Sequence, residues 1–401
     1  MSQRTDIAIV GIGGIFADAP DLEAFWATIV AGKSAAREVT DARWTLPVDE
    51  AYAPGGPSPD RVYSRRACLI DGEPQFDIAS IDIPEDVLNE LDPSVRLLLA
   101  AGLRAFEDAA ASIAERDRIG VIVGNLALPT EASSALTREW LGQTFEERVL
   151  GRSASRKPRD TNALNRYVTG LPAGVLAKAL GLGGGSVTLD AACASSLYAL
   201  KLAVDELASG RMDAVLAGGL SRPDSLYTQM GFSQLRAVSP TGTCSPFDAK
   251  GNGLVVGEGA GIFVLKRLSD AVASKDRIYG VIKGIGLSND IGGSLLAPSS
   301  EGQLRAMRAA YKQCGWAPHD IDHIECHATG TPVGDAVEVE SLRALWGAED
   351  WRPGQCIVGS AKSNFGHTLT AAGSVALIKT LLAMREGILP PTANYERPAP
   401  N

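Results

Sequence analysis

The chain has 401 residues, of which 45% are hydrophobic and 21% charged, a composition typical of a globular protein with two or three domains or one large duplicated domain. The formal net charge of −9 argues against a nucleic-acid-binding or membrane-surface protein. Six cysteines without a CxxC pair and the lack of any apolar run near the ~18 residues of a membrane span favour a reducing, cytoplasmic location.

The first apolar segment, IAIVGIGGIF at 7–16, has the superficial look of a signal peptide. Asp6 lies where a basic residue would be expected, and the three glycines would break a helix. We therefore predict a buried strand that enters a glycine turn. The GIGG run does not complete a dinucleotide-binding GxGxxG motif, because its third glycine position is Phe16.

Short apolar runs alternate with helical patterns along the chain, which predicts an α/β layered fold. The runs are apolar on both faces, as in sheets covered by helices. We expect surface loops at 52–59 and 129–165. Strands are predicted at 7–13, 119–124, 185–190, 214–219, 259–268, 279–288, 321–329 and 356–360, and helices at 93–110, 195–208, 302–314, 336–345 and 370–385.

Two segments, 186–207 and 356–384, share one design: a strand, a turn of small residues and an apolar helix. Helices that are apolar on nearly all sides are typical of the centre of a protein. The similarity suggests an internal duplication in which the two central helices pack together.

Cys193 lies at the first of these strand–helix junctions, among alanines and serines. The free N–H groups and dipole of a helix start favour an ionised, nucleophilic thiol. Small neighbours leave room for a substrate carbonyl, and the backbone N–H of the cysteine can point at an oxyanion. The alternative is a small residue that fills a gap in the core. Cys244 is a rival thiol, but no helix follows it.

The chain has four histidines, and two of them lie in turns rich in small residues: His327 in ECHATGTPVGD and His367 in SAKSNFGHTLTAAG. A cysteine with two such histidines suits covalent thioester chemistry. His319, His323 and His327 could bind zinc if they shared a helix face. The segment instead resembles a strand, where residues four apart are separated by ~13 Å. We expect no metal site, with His319 and His323 on the surface.

Three motifs, DAACASSL, HATGTPVGD and KSNFGHTLTAAG, resemble the signature motifs of the β-ketoacyl synthases, the condensing enzymes of polyketide and fatty-acid synthesis. Similar stretches run along nearly the whole chain. The resemblance implies a ketosynthase domain of a type I polyketide synthase or a polyunsaturated-fatty-acid-type synthase. It also implies an α/β fold, a thiolase-like five-layered αβαβα sandwich with two pseudo-repeated halves: 1–268 with the cysteine, and 269–401 with both histidines.

The activity implied is decarboxylative Claisen condensation of an enzyme-bound acyl thioester with a malonyl-carrier-protein thioester, giving a 3-ketoacyl thioester. By resemblance, Cys193 is the nucleophile. His327 and His367 promote decarboxylation and stabilise the enolate, and Lys362 supports the site electrostatically.

Four more residues match the family's binding or structural positions. Thr329 and Thr331 correspond to threonines that hold the pantetheine arm, and Asn364 is a further candidate for substrate binding. Glu338 corresponds to a structural glutamate, which we expect to pair with Lys362.

The resemblance further implies no bound cofactor, because substrates arrive on the phosphopantetheine arm of an acyl carrier protein. It implies a homodimer and further domains of a multidomain synthase, with no nucleic-acid or membrane partner. A basic run at 148–159 is interpreted as a solvated loop or as a docking patch for an acidic partner.

Small departures from the family pattern are Ala191, Ala194 and Ala328. The chain also stops before the Gly-Phe-Gly-Gly turn that supplies a second oxyanion N–H, so we expect a domain truncated at its end. A non-elongating relative that binds or transfers acyl chains, or scaffolds a partner, is the alternative function. A thiolase is a third option, against which the KSNFGH segment argues.

Overall fold

The computed structural model describes residues 5–109, 115–151, 162–292, 297–347, 352 and 354–400. Its strands are β1 Ile7–Phe16, β2 Arg37–Glu38, β3 Arg66–Ala67, β4 Ile119–Asn125, β5 Ser186–Leu189, β6 Ala214–Ser221, β7 Gly259–Arg267, β8 Gly280–Ile282, β9 His323–Glu325 and β10 Ile357–Gly359. Its helices are α1 Leu22–Val30, α2 Val48–Ala51, α3 Glu85–Glu90, α4 Pro93–Ala109, α5 Glu131–Thr137, α6 Gln143–Phe145, α7 Leu171–Leu180, α8 Ser195–Ala208, α9 Ser225–Gln234, α10 Leu268–Ala273, α11 Ser300–Cys314, α12 Pro332–Trp346, α13 Lys362–Phe365 and α14 Ala372–Glu386.

The main sheet has six strands in the order β5-β4-β6-β7-β1-β8. Strands β5, β4 and β6 run parallel, and β7 pairs antiparallel with β6 and β1. Every residue of β1, β4 and β6 is buried. This burial explains the continuous apolar runs in the sequence, because helices cover both faces of the sheet.

The layers follow the order helix, sheet, helix, sheet, helix. Helices α4 and α7 cover one face of the main sheet, and α8 and α14 cover the other. On the far side of α14 lies the parallel pair β9 and β10, which α11 and α12 cover through Met307, Leu342 and Trp346. The predicted five-layered α/β sandwich is therefore confirmed.

The two central helices α8 and α14 pack against each other, as the sequence similarity suggests. A Cβ atom at Gly373 would lie 2.6 Å from Ser196 Oγ and 2.8 Å from Leu197 Cγ. A Cβ atom at Gly219 would lie 2.3 Å from Thr370 O. Glycine is therefore required at Gly219, where the close atom is a backbone carbonyl, and at Gly373 it avoids displacing the Ser196 and Leu197 side chains. Both glycines let the starts of α8 and α14 meet over β6.

Two predicted elements differ from the structure. The predicted strand 279–288 is paired only at Gly280–Ile282, because its glycines pack against α11: a Cβ atom at Gly286 would lie 1.8 Å from Ala306 O. The predicted loop 129–165 is helical over residues 131–150, and a capping box between Thr130 and Ser133 begins this helical stretch.

The predicted division after residue 268 falls at the start of α10 and stays a prediction. Most of the basic run, including Arg152, Arg156, Lys157 and Arg159, lies outside the described residues. Within the described ranges, no helix has the length and apolar character needed to span a membrane.

Candidate active site

A tight turn between β5 and α8 presents Cys193. Residues Ala192–Ala194 form a 3₁₀ turn, and Ala192 takes a left-handed φ of +50°, which costs about 1–2 kcal/mol in a residue with a Cβ atom. Side chains on both sides hold the turn: Asp190 Oδ1 accepts the Ala192 N–H at 2.9 Å, while Ser195 Oγ accepts the Ala191 N–H at 2.8 Å and donates to Ala192 O at 2.7 Å. These bonds offset the backbone strain and aim the cysteine inward.

The thiol of Cys193 is paired with an imidazole from the other end of the chain. His367 Nε2 lies 3.0 Å from Cys193 Sγ, and His367 is only 2% exposed. Its backbone N–H donates to Val255 O at 2.6 Å, and the preceding Gly366 has a φ of +66°. The glycine turn after α13 therefore places the imidazole against the thiol, and the two predicted residues meet.

His327 follows β9 and joins this pair. Glu338, on α12, accepts the backbone N–H groups of His327 and Ala328, each at 2.7 Å. The His327 ring stands edge-on to the His367 ring, with 5.3 Å between centroids. His327 is accessible to solvent, so it lies at the open side of the site, where a substrate could reach both rings.

The surrounding protein and the Lys362 charge together shift the pKa values of all three groups. Burial raises the pKa of the Cys193 thiol, and the Lys362 charge opposes this effect only in part. The expectation that the helix start makes this thiol ionise more easily is therefore wrong for the free protein. Surrounding protein and Lys362 lower the pKa of His327 to about 3, while burial, His327 and Lys362 hold the pKa of His367 well below its usual value. At pH 7 the site contains a neutral thiol and two neutral imidazoles.

Lys362 is buried at the start of α13. Its charge acts on the pKa of Cys193, of both histidines and of Glu338. Among the described residues Lys362 and Glu338 form no ion pair, which corrects our expectation. Both Glu338 oxygens are instead occupied by backbone N–H groups, as a structural role requires.

The two threonines form a hydrogen-bonded pair, with 2.8 Å between Thr329 Oγ1 and Thr331 Oγ1. Asp335 holds their loop, because its carboxylate accepts the Thr329 N–H at 3.0 Å and the Phe247 N–H at 2.9 Å. Burial raises the pKa of Asp335 to about 6. Sequence reasoning missed this residue, although it ends the motif that contains His327.

Asn364 is fully buried beside Lys362. Its side-chain amide donates to Lys33 O at 2.8 Å, and its backbone carbonyl accepts the Ala35 N–H at 2.8 Å. These contacts fit a structural role better than the predicted contact with substrate, which stays a prediction.

The rival groups are placed differently. Cys244 is buried, its thiol donates to Thr329 O at 3.2 Å, and burial raises its pKa to about 12, so it is a poor nucleophile. His319 is exposed on a 3₁₀ turn, whereas His323 is largely covered beside Glu325 and is not the surface residue we predicted. In the described residues no three metal-ligating side chains come together.

The comparisons with known proteins agree with this fold and site. The family described as "Beta-ketoacyl synthase, N-terminal domain" matches residues 4–271, and "Beta-ketoacyl synthase, C-terminal domain" matches residues 279–396. The chain therefore belongs to the β-ketoacyl synthase family, the acyl-transferring enzymes of decarboxylative chain elongation.

Relatives come from two kinds of synthase. The chain is 35% identical to polyketide synthase ThaG of Burkholderia thailandensis, over 98% of this chain and 7% of the relative. It is 34% identical to a polyunsaturated fatty acid synthase chain of Thraustochytrium sp., over 99% of this chain and 19% of the relative. The chain thus spans a small part of these relatives.

The solved structures that are similar to this chain also come from both kinds of synthase. The chain is similar to a PfaC keto synthase–chain length factor, with a TM-score of 0.91 and 36% identity over 98% of this chain and 43% of that one. The ketosynthase from module 6 of the bacillaene synthase of Bacillus subtilis 168 gives a TM-score of 0.82 and 31% identity, over 98% of this chain and 64% of that one.

Proposed function

We propose that this chain elongates a carrier-bound acyl chain by decarboxylative Claisen condensation, with Cys193 as the acyl acceptor. The observation that carries the proposal is the 3.0 Å contact between Cys193 Sγ and His367 Nε2. A neutral thiol needs a base, and a neutral imidazole can accept its proton at this distance.

In the first half-reaction Cys193 Sγ attacks the carbonyl carbon of an acyl-pantetheine thioester. The thiol proton passes to His367 Nε2 and then to the departing pantetheine sulfur, so atoms and charge balance. The backbone N–H at the strained turn can stabilise the oxyanion that forms. The products are an acyl-cysteine thioester and a free pantetheine thiol.

In the second half-reaction a malonyl thioester loses CO₂, and the released electron pair forms an enolate. His327 and His367 stand edge to face, so each can donate an N–H to the enolate oxygen in its suitable neutral tautomer. The Lys362 charge favours this developing anion. The enolate carbon then attacks the acyl carbon, Cys193 leaves as a thiolate, and a proton from solvent restores it.

Thr329 and Thr331 are the proposed contacts for the pantetheine arm, because their paired hydroxyls lie two and four residues beyond His327. We propose an acyl carrier protein as the partner that presents this arm, and a multidomain synthase as the wider setting, as in the relatives above. We also propose a homodimer. It is supported by β5, an edge strand in which Val187 is 47% exposed, because such edges normally pair or are covered.

The alternative of a non-elongating acyl carrier is not favoured, since the thiol, both imidazoles and the lysine are all present. Intact-protein mass after incubation with an acyl-pantetheine thioester tests the first half-reaction. We expect one acyl adduct on the wild type, none on Cys193→Ala, and a normal adduct on the control Cys314→Ala. Malonyl-pantetheine is added next, and release of a 3-ketoacyl thioester supports elongation. An adduct that stays in place would support the alternative.

A further inference from the structure

A buried ion pair lies behind the candidate site. Lys379, on α14, is 1% exposed, and its Nζ lies 2.7 Å from Glu325 Oε2, whose side chain is 7% exposed. Removing two charges from water is costly, and apolar residues of similar volume often stabilise a protein equally well. Stability alone therefore does not explain this pair, and its position in the fold indicates what else it could do.

The pair connects the segments that carry the acid–base groups. Glu325 is the last residue of β9, two positions before His327. Its second oxygen, Oε1, accepts the N–H of Ala361 at 2.5 Å, and Ala361 directly precedes Lys362. Lys379 belongs to the helix that begins five residues after His367. One carboxylate thus joins the His327 strand, the Lys362 turn and the helix beyond His367.

The surroundings leave this carboxylate little freedom. Gly359 lies opposite Glu325 in the pairing of β9 with β10, and its carbonyl accepts the Cys326 N–H at 2.8 Å. A Cβ atom at Gly359 would lie 2.9 Å from Thr392 Oγ1 and 3.3 Å from Lys379 Nζ. A movement of the Glu325 side chain would therefore displace both the end of β9, which leads to His327, and the Ala361 turn, which leads to Lys362.

The nucleophile is held by separate contacts. Asp190 and Ser195 hold the turn around Cys193, and among the described residues no hydrogen bond or ion pair joins either of them to Glu325 or Lys379. Loss of the buried pair should consequently displace His327 and Lys362 relative to a cysteine that stays in place.

We propose that Glu325 and Lys379 are positioning residues for the malonyl decarboxylation step, acting through the Ala361 N–H and the strand end before His327. The role rests on the proposed function of the site. The Glu325 oxygen that accepts the Ala361 N–H carries the effect, and Lys379 orients the carboxylate that supplies this oxygen.

Two neutral double variants separate positioning from stability. Glu325→Gln with Lys379→Met keeps an oxygen acceptor for Ala361, whereas Glu325→Met with Lys379→Met removes it; both avoid an unpaired buried charge. Malonyl-pantetheine decarboxylation is measured without acyl donor, and Cys193 acylation is measured by mass on the same samples. We expect the Met/Met variant to lose roughly 10-fold or more in decarboxylation, since a displacement of about 1 Å can cost roughly 100-fold. Its acylation rate should stay within about twofold of wild type, and the Gln/Met variant should recover most of the decarboxylation.

The matched control is the other buried pair, Lys266 and Asp276, with 2.7 Å between Nζ and Oδ2. Lys266→Met with Asp276→Leu should leave the ratio of decarboxylation to acylation unchanged, whatever it does to melting temperature. Equal decarboxylation in the two Glu325 variants, or a parallel fall of both half-reactions, would overturn the positioning role alone. A wild type that acylates but never decarboxylates malonyl-pantetheine would overturn the proposed elongation and the positioning role with it.

Discussion

Glu338 holds His327 by its backbone, not by its ring: one carboxylate oxygen accepts the His327 N–H at 2.7 Å and the other accepts the Ala328 N–H at the same distance. Burial raises the pKa of Glu338, and these two bonds oppose that rise. The position of the His327 imidazole therefore depends on the carboxylate of Glu338, which belongs to the following helix α12.

Replacing Glu338 tests this dependence. Glu338→Ala leaves two N–H groups without their acceptor, and hydrogen bonds to a charged group contribute roughly 1.5–3 kcal/mol each. We expect a lower melting temperature and a decarboxylation rate reduced about 10-fold or more by the displaced ring. The melting temperature and decarboxylation rate of Glu338→Gln should lie between those of wild type and Glu338→Ala, because the amide oxygen of glutamine can still accept one of the two hydrogen bonds. Decarboxylation equal to wild type in Glu338→Ala would show that the ring needs no such support.

The two histidines should differ in acylation. Of these two histidines, His367 is the one with a nitrogen within hydrogen-bonding distance of the thiol. His367→Ala should therefore slow formation of the acyl adduct, whereas His327→Ala should leave it near the wild-type rate. Both variants should lose condensation, because each removes one donor to the enolate oxygen, and loss of one such donor costs roughly 100-fold. Time-resolved intact mass measures acylation, and product mass measures condensation. Equal acylation rates in both variants would argue against His367 as the base.

The reactivity of Cys193 should rise with pH. Its pKa is raised above the ordinary value by burial, so the thiolate is scarce at neutral pH and increases towards that pKa. The rate of iodoacetamide alkylation at Cys193 should consequently climb from pH 7 to pH 9 without reaching a plateau. A plateau below pH 8 would indicate that the thiol is already ionised.

Lys362→Met gives a matched test of the charge. Lys362 is the group whose charge lowers the pKa of Cys193 most, so its loss should raise that pKa further. Below the pKa each additional unit reduces the thiolate fraction about tenfold. We expect slower alkylation at pH 8 in Lys362→Met, and a normal rate in the control Lys201→Met, because the Lys201 ammonium pairs with Asp205 and is not among the charges that shift the pKa of Cys193. An unchanged alkylation rate in Lys362→Met would show that the Lys362 charge does not lower the pKa of the Cys193 thiol.

The strained turn offers a stability test. Ser195→Ala removes the hydroxyl that bonds both Ala191 and Ala192, and buried polar groups that lose a partner cost roughly 1–3 kcal/mol. We expect a reduced free energy of unfolding and slower acylation, since Cys193 loses its orientation. Ser209→Ala is the control, because that hydroxyl bonds a carbonyl at the exposed end of α8. Wild-type stability and acylation in Ser195→Ala would mean that Asp190 alone holds the turn.

Local patterns predicted most of the fold. The apolar runs around Val121 and Leu216 become buried strands, because burial on both faces leaves a continuous signal in sequence. The run around Gly286 misled the prediction, since its glycines serve close packing against α11, a contact distant in sequence. The helical stretch that begins at Glu131 differs from the predicted loop for another reason: the capping pair of Thr130 and Ser133 that begins it is a local signal, which the loop prediction does not take into account.

Of the site, residue type and motif predicted which groups take part, but not their energetics. Cys193 and His367 are 174 positions apart, and only the packed fold shows that their side chains touch. The raised pKa of Cys193 and the backbone partners of Glu338 depend on burial and on chain direction, which single residues do not encode. Nothing local in the sequence marks Glu325 and Lys379, because each is an ordinary charged residue until the fold encloses both.

The helices α8 and α14 come into close contact at Gly373 and Ser196. The thiol–imidazole pair therefore forms only when these two helices have packed against each other. Cys193 lies just before α8 and His367 lies in the turn that leads to α14, so neither segment contains both members of the pair. A folding intermediate that has formed both helices but has not yet packed them together would have a Cys193 thiol without its imidazole partner. Such an intermediate would react slowly with thioesters, and only a chain in which α8 and α14 are packed together would be acylated rapidly.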